Sequence, residues 1–346
     1  MTAAVLEALS GFVPPHPVHN TNLPAAWGVD DQWVQSLTGV ITRYHAGPGQ
    51  ATSDLAFEAA RRVLDASGGQ APNAVLLATS TPDRPCPATA PLLAARLGMV
   101  GVPAFDLAAV CTGFIYALAV GQGLITAGTA SRVLVVAADI WSTLVHPDDR
   151  SAGVVLGDGA GAVLLRAGQK NEPGALLGFD LGSDGTGEDL ITIRGAGARE
   201  RAMAAPLSER ERYFTMAGFR VFQRAVTAMT QSTKRTLTRA DWLPDQLNHL
   251  VPHQANSRIL AAVAERLGIP TQRVITTLAR TGNTGVASIP LALADAAADN
   301  RLSPGERVVL TAFGGGLTWG SAALYWPNLP ATASPYPAQP LKPTRP

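Results

Sequence analysis

Apolar runs alternate with amphipathic stretches along the first half of the chain, and this pattern predicts alternating strands and helices. Short apolar runs bounded by glycine, proline or polar residues predict strands, and apolar positions with a 3.6-residue period predict helices. The predicted strands are 3–13, 74–78, 105–110 and 132–138, followed by a glycine-broken strand pair over 153–165. The predicted helices are 32–37, 54–66, 90–97 and 114–125.

The second half repeats this order of elements. Its predicted helices are 219–236, 256–267 and one opening at 283–285, and its predicted strands are 247–251, 274–278, 307–313 and a glycine-broken run over 314–326. Ala-Arg-Leu-Gly-Met at 95–99 matches Glu-Arg-Leu-Gly-Ile at 265–269, and Cys-Thr-Gly at 111–113 falls on Asn-Thr-Gly at 283–285. We therefore predict an internal duplication, with α/β sheets covered by helices on both faces.

The duplication suggests domain boundaries and a place for a site. The predicted halves are residues 1–170 and 171–328, and stacking them would bring the two equivalent helix starts, at Cys111 and Asn283, to a shared pseudo-twofold axis. Residues 171–212 are irregular and charged, which predicts a surface excursion or a pocket cover. The proline-rich segment 329–346 is predicted to be a disordered tail.

Composition narrows the class of protein. Of 346 residues, 47% are apolar and 15% charged, with a net charge of +1, so no broad attraction to nucleic acid or membrane is expected. Two cysteines without zinc-ligand spacing predict neither a disulfide framework nor a metal site. The first residues lack the pattern of a signal peptide, and no apolar run is long enough to span a bilayer. We expect a soluble, cytoplasmic protein.

Three residues are candidates for catalysis. Cys111 lies at a strand-to-helix junction, where unpaired backbone N–H groups and the helix dipole favour a thiolate and can hold an oxyanion. The alternative is a buried structural cysteine. His253 follows the strand 247–251, and Asn283 lies at a glycine-flanked helix start. Either residue alone is commonly structural, but their joint occurrence with Cys111 in a duplicated fold predicts a single site.

Six segments together resemble the 3-oxoacyl-[acyl-carrier-protein] synthase III family of thiolase-fold condensing enzymes. They are DLAAVCTGFIYAL, GDGAGAVLL, TMAGFRVF, VPHQANSRI, TGNTGVASIPLAL and FGGGLTWGSAALYW, in the family's order over about residues 3–326. The resemblance implies a thiolase-like fold in which two duplicated halves form αβαβα layers. It also implies a homodimer with the sheet extended across the interface, and chemistry without a cofactor.

The resemblance implies a role for each candidate. Cys111 accepts the acyl group from a thioester of coenzyme A or acyl carrier protein. His253 and Asn283 bind the carbonyl oxygen of a malonyl thioester and stabilise the enolate formed on decarboxylation. The backbone N–H groups of Cys111 and Gly315 form the oxyanion hole. An asparagine suits this role because a carboxylate would repel the developing negative charge.

The resemblance also suggests residues that hold the substrate arm. They are Trp33 and Arg150 on the two sides of the coenzyme A adenine, Gly218, Asn256 and Arg258 along pantetheine or at the entrance, and Phe222 as a gating aromatic. Without the family, Trp33 would be read as helix packing. Leu37 and Ile41 replace arginines that grip phosphates or the carrier protein. This departure is consistent with a specialised acyl-transferring enzyme of secondary metabolism, and both fatty-acid synthesis and specialised polyketide metabolism stay open.

Two other functions remain open. The first is an acyltransferase that passes the acyl group from Cys111 to a hydroxyl or amine, with His253 as general base. The second is a non-catalytic scaffold or carrier-docking subunit. A degradative thiolase is disfavoured because no second cysteine lies near 314–316. The GGGLTWG ending disfavours chalcone-synthase-type enzymes, and the absence of glutamate from the motif positions disfavours a hydroxymethylglutaryl-type synthase.

Overall fold

The computed structural model describes residues 2–330 and 332–337. The strands are β1 (Thr2–Phe12), β2 (His16–His19), β3 (Thr42–His45), β4 (Ala74–Ala78), β5 (Ala104–Leu107), β6 (Arg132–Asp139), β7 (Gly159–Gln169), β8 (Leu176–Ser183), β9 (Ile191–Thr192), β10 (Thr215–Met216), β11 (His249–Pro252), β12 (Arg307–Gly314) and β13 (Thr318–Tyr325). The α-helices are α1 (Asp31–Thr38), α2 (Thr52–Ala66), α3 (Ala90–Arg96), α4 (Gly113–Thr126), α5 (Arg150–Gly153), α6 (Ala198–Arg201), α7 (Gly218–Arg239), α8 (Ser257–Leu267), α9 (Leu278–Thr281) and α10 (Ser288–Ala298).

Two sheets with the same topology confirm the duplication. The first has the order β1-β7-β6-β4-β5, and the second, read from the opposite edge, has the order β8-β13-β12-β11. In the first sheet β4 pairs in parallel with both β5 and β6, in the second β11 pairs in parallel with β12, and the remaining pairs of both sheets are antiparallel. An isolated parallel β-bridge joins Leu250 of β11 to Val274. Val274 thus takes the position in the second sheet that β5 takes in the first.

The two halves stack as five layers. Phe114 and Leu118 of α4 and Ile289 and Leu293 of α10 are buried in one cluster with residues of both sheets, so these helices form the central layer. Helices α2 and α3 cover the outer face of the first sheet, and α7 and α8 that of the second. The order is αβαβα, as expected for the family. Among the described residues, no helix combines the length and apolarity needed to cross a bilayer.

Two predicted elements of the first half are wrong in detail. The strand predicted over 105–110 ends at Leu107, because Val110 adopts a φ of 47° and the chain turns into α4. The strand pair predicted over 153–165 is instead the end of α5 and the single long strand β7. Asp149 caps α5 by accepting backbone N–H groups of its first turn, and an apolar run does not reveal such a cap.

The second half also differs from the prediction in two places. The strand predicted over 274–278 does not form, because the side-chain oxygen of Gln254 accepts the backbone N–H groups of Thr277 and Leu278 that a sheet would use. The segment 171–212, predicted to be irregular, contains β8, which pairs with β13 and completes the second sheet. The rest of that segment is irregular apart from short helical turns and β9.

Part of the predicted disordered tail packs against the body of the protein. Pro335 accepts a hydrogen bond from the Val13 N–H at 3.2 Å, and the Tyr336 ring lies 3.9 Å from the guanidinium carbon of Arg280. The prediction of disorder is therefore wrong for residues 332–337. Residue 331 and residues 338–346 lie outside the described part of the chain.

Candidate active site

Cys111 lies in a tight turn between β5 and α4. The Ala109 carbonyl accepts the Thr112 N–H at 3.1 Å, the Thr112 hydroxyl at 2.6 Å and the Thr318 hydroxyl at 3.2 Å. These bonds hold Val110 at its positive φ of 47°, which is strained for a β-branched side chain. The turn therefore keeps Cys111 at the start of the buried helix α4.

The end of β12 lies directly against the backbone of Cys111. A Cβ atom at Gly314 would lie 2.9 Å from the Cys111 nitrogen, so only glycine permits this approach. Gly315 is the next residue, and a Cβ there would lie 3.1 Å from the Ile191 carbonyl oxygen. The two backbone segments predicted to form the oxyanion hole are thus neighbours.

The surroundings of Cys111 favour the neutral thiol over the thiolate. The sulfur is partly accessible through a cavity but otherwise enclosed, and this burial, together with the nearby Asp139 carboxylate, raises the pKa of the thiol. Burial therefore outweighs the field of the helix terminus, which we expected to favour the thiolate. Reaction at this sulfur requires its proton to leave as the new bond forms.

His253 is a neutral donor at the end of β11. It is 2% exposed, and burial lowers its pKa to about 4. Its Nδ1 lies 2.6 Å from the Ser288 hydroxyl oxygen, which also accepts the Gln254 N–H at 3.3 Å. The Ser288 hydroxyl can donate to Nδ1 while its oxygen accepts from Gln254, and with that arrangement the imidazole proton resides on Nε2.

Asn283 is held by both its backbone and its side chain. Its N–H donates to the Val155 carbonyl at 2.7 Å, and its carbonyl accepts the Gly157 N–H at 2.9 Å. Its Oδ1 accepts the Gly285 N–H at 2.9 Å. Because the amide oxygen is occupied by this turn, the NH₂ group is the end left for a ligand.

The buried carboxylate of Asp139 organises the surrounding turns. One oxygen accepts the Ser80 N–H at 2.7 Å and the Thr79 hydroxyl at 3.2 Å. The other accepts the Trp141 Nε1–H and the Val286 N–H, each at 2.9 Å. Burial raises the Asp139 pKa to about 6, although the hydrogen bonds oppose this shift. The carboxylate joins the first sheet to the turn after Asn283.

Replacing Gly285 with alanine should destabilise the protein and disturb this site. A Cβ at Gly285 would lie 2.0 Å from Trp141 Nε1 and 2.2 Å from Asp139 Oδ2, and its φ is +56°. Overpacking together with left-handed strain should lower the free energy of unfolding by about 2–4 kcal/mol. Gly268→Ala is the matched control, because its φ is +67° and nothing lies within 4 Å of the added carbon. Equal losses in urea unfolding would contradict the steric argument.

The three predicted catalytic residues line one cavity of about 570 Å³. Four predicted substrate residues line it as well, namely Gly218, Phe222, Asn256 and Arg258. Most other lining side chains are apolar, including Leu37, where the sequence departs from the family. Among the residues described, no cluster of three or more His, Cys, Asp or Glu side chains is arranged to hold a metal ion.

Asn256 and Arg258 tie the mouth of the cavity to α1. The Asn256 side chain accepts the Arg258 N–H as the cap of α8, and its amide donates to the Leu37 carbonyl at 3.2 Å. The Arg258 guanidinium donates to the Ser36 carbonyl at 3.3 Å. These bonds fix the cavity rim between the two halves.

The remaining predicted residues lie outside the cavity lining. Trp33 is 39% exposed, and the Arg150 guanidinium carbon lies 5.6 Å from its ring centroid, so these two side chains are neighbours at the surface. Arg150 also donates to the Trp27 carbonyl. Gly315 does not line the cavity itself, although Phe313 two residues earlier does.

Sequence reasoning missed four residues of this site: Asp139, Trp141, Gln254 and Ser288. The sequence does contain a signal for Asp139. Its carboxylate comes directly after an apolar run that predicts a buried strand, and a buried carboxylate needs several hydrogen-bond donors. Gln254 and Ser288 carried no such signal, because their partners are backbone groups and a ring nitrogen brought together only by the fold.

Comparisons with known proteins show similarity over nearly the whole chain. The family model described as 3-oxoacyl-[acyl-carrier-protein (ACP)] synthase III matches residues 105–185, and the model of its C-terminal part matches residues 237–326. Beta-ketoacyl-[acyl-carrier-protein] synthase III 5 of Streptomyces coelicolor is 52% identical over 329 residues, covering 95% of this chain and 99% of the relative.

Solved structures are also similar over nearly the whole chain. The crystal structure of 3-oxoacyl-(acyl carrier protein) synthase III from Pseudomonas aeruginosa PAO1 matches with a TM-score of 0.88 and 49% identity, covering 94% of this chain and 99% of that one. The priming β-ketosynthase of the R1128 polyketide biosynthetic pathway matches with a TM-score of 0.87 and 28% identity, covering 95% and 97%.

Proposed function

Because the chain belongs to the 3-oxoacyl-[acyl-carrier-protein] synthase III family of thiolase-fold condensing enzymes, we propose that Cys111, His253 and Asn283 carry its reaction. The protein is a condensing enzyme and hence an acyltransferase. The observation that supports these residue roles is that a thiol and two neutral donors line one mostly apolar cavity. Its relatives include enzymes named for acyl-carrier-protein substrates and for polyketide priming.

The first step is acyl loading. The Cys111 sulfur attacks the carbonyl carbon of an acyl thioester, and the carbon–sulfur bond to the departing thiol breaks. No net proton is consumed, because Cys111 loses its S–H proton and the departing thiol gains one. The backbone N–H groups of Cys111 and Gly315 are the proposed donors to the tetrahedral oxyanion.

The second step is decarboxylative condensation. The thioester carbonyl oxygen of a malonyl group accepts hydrogen bonds from His253 Nε2–H and the Asn283 NH₂ group. Loss of CO₂ leaves an enolate, whose negative charge the two donors stabilise, and its carbon then attacks acyl-Cys111. The Cys111 sulfur departs and takes up a proton, releasing a 3-oxoacyl thioester. Neutral donors suit this cavity because they add no buried charge.

Intact-protein mass spectrometry of the wild-type chain tests this proposal. We expect an acyl adduct with at least one coenzyme A or carrier-protein thioester, followed by CO₂ release when malonyl thioester is added. Peptide mapping should place the adduct on Cys111 and not on the exposed Cys86, which serves as an internal control. An adduct on Cys86 alone, or no adduct from any donor, would contradict the proposal and favour a scaffold role.

One observation favours acyl transfer to a hydroxyl or amine as a second candidate function. Leu37 lines the cavity and Ile41 is 45% exposed, where the family has arginines, so cations that hold the usual substrates are replaced. Asn283 is present, which transfer without an enolate does not require. A stable adduct that releases no CO₂ with malonyl thioester, but is discharged by an alcohol or amine, would establish this alternative.

The edge strand of the first sheet supports a homodimer. Among the described strands β5 pairs only with β4, and its Phe105 side chain is exposed. An unpaired apolar edge is suited to pair with a second copy. We expect light scattering to give twice the 35.9 kDa mass of one chain. Phe105→Arg should yield monomer, whereas the control Leu243→Arg, at another exposed leucine, should stay dimeric. A monomeric wild type would contradict the dimer.

Cytoplasmic location stays a prediction.

A further inference from the structure

Trp141 forms a fixed part of the cavity wall near Cys111. Its Nε1–H donates to Asp139 Oδ2 at 2.9 Å, and its ring meets Phe214 edge-on with 5.4 Å between the centroids. The side chain is 4% exposed. An indole held by both a buried charged acceptor and an aromatic neighbour does not swing aside at small cost, so this wall does not yield to a larger ligand.

The surroundings of Trp141 define what the wall can contact. Val155, Leu156, Ile191 and Phe214 line the cavity with it, and all are apolar. Within the described chain, Arg258 is the only cationic side chain of the lining, and it is tied to α1 through the Ser36 carbonyl. An uncharged, apolar acyl group therefore fits this wall, and a free carboxylate would have no partner there.

Asp139 connects this wall to the donor Asn283. The same Oδ2 atom that accepts the Trp141 N–H accepts the Val286 N–H at 2.9 Å. Gly285, directly before Val286, donates to Asn283 Oδ1. The indole and the turn that orients Asn283 are therefore held by the same carboxylate oxygen.

We propose that Trp141 sets the upper size of the apolar acyl group that Cys111 accepts, and that Asp139 is a positioning residue that locks this wall to the turn of Asn283. The proposal rests on the proposed function, because it takes Cys111 as the acyl acceptor. To the proposed function it adds the class of acyl group that Cys111 accepts. It also adds a physical link between the size of that acyl group and decarboxylation of the malonyl thioester.

Rates of Cys111 acylation by straight-chain acyl-coenzyme A thioesters, from acetyl to dodecanoyl, test the size limit. Trp141→Leu should accelerate acylation by chains beyond the wild-type limit by at least about tenfold, since one methylene in an apolar pocket is worth that much. Trp141→Phe, which keeps a ring and loses the N–H, should broaden the limit less. The control is Trp242→Leu, because Trp242 is equally buried but packs on Tyr325 away from the cavity.

Asp139→Asn tests the link to Asn283. An amide keeps the shape but turns an NH₂ group toward some of the four donors. The amide also removes one cause of the raised Cys111 pKa, so acetyl loading should hold or rise, while CO₂ release from malonyl-coenzyme A should fall about 10- to 100-fold, as expected for a small displacement of a catalytic group. A purely structural role would lower both rates by the same factor.

The outcomes are distinct. A chain-length profile that is unchanged in both Trp141 variants, or shifted equally by Trp242→Leu, would overturn the size limit. Equal loss of loading and CO₂ release in Asp139→Asn would overturn the positioning role. Wild-type protein that accepts no acyl group would overturn both the proposed function and this proposal. Acylation of Cys111 whose chain-length dependence is the same with and without the Trp141 side chain would overturn this proposal alone.

Discussion

Cys111→Ala should abolish both acyl loading and formation of the 3-oxoacyl product. The sulfur is the only atom proposed to carry the acyl group, so its removal leaves no covalent intermediate to condense. The substitution is small, and the turn is held by the Ala109 carbonyl rather than by the thiol, so the fold should survive. Mass spectrometry of the loaded protein and chromatography of the product measure the two losses.

Cys86→Ala is the matched control for this prediction. Cys86 is exposed in a loop, and it does not line the cavity. Loading and product formation in Cys86→Ala should stay close to those of wild type. Product formation that persists in Cys111→Ala would mean that condensation does not pass through an acyl-cysteine.

Replacing either enolate donor should separate decarboxylation from loading. His253→Ala or Asn283→Ala should each lower the rate of CO₂ release from malonyl thioester by about 10²–10³-fold, the usual effect of removing one oxyanion donor. Acyl loading of Cys111 should fall far less, because its proposed oxyanion donors are backbone groups. Asn283→Asp should be at least as damaging as alanine, since it places a carboxylate where negative charge develops.

Two comparisons make that prediction specific. His19 is an exposed histidine in β2, so His19→Ala should leave both rates unchanged. The double variant His253→Ala with Asn283→Ala should lose less than the product of the single losses, since the two donors share one oxygen. Loading that falls as steeply as CO₂ release would show that these residues support the cysteine rather than the enolate.

Most of the fold followed from periodicity and from the repeat, because buried strands and helices of a layered α/β protein carry strong apolar patterns. Two of the failures occurred where a side chain took the place of a backbone hydrogen-bond partner. Gln254 takes the N–H groups that would have paired in a strand at 274–278. Asp149 similarly caps α5, which ends at Gly153, the first residue of the predicted strand pair. Hydrophobic periodicity reveals neither kind of side-chain partner.

The candidate site was predictable in its reacting groups but not in their supports. The residues proposed to be catalytic occur within recognisable motifs, and the structure brings Cys111, His253 and Asn283 to one cavity. The contacts of Ser288 with His253 and of Asp139 with Val286 span 35 and 147 residues. Such contacts depend on how the two halves stack, which no motif spacing encodes.

The stacking of two related halves has an evolutionary consequence. The helices α4 and α10 occupy equivalent positions, and the turns before them bring Cys111 and Asn283 to the same cavity. Two identical halves would present either two thiols or two amides, and neither pair would supply both the acyl acceptor and the enolate donor of the proposed reaction. The proposed reaction therefore requires that the two copies have diverged at these turns.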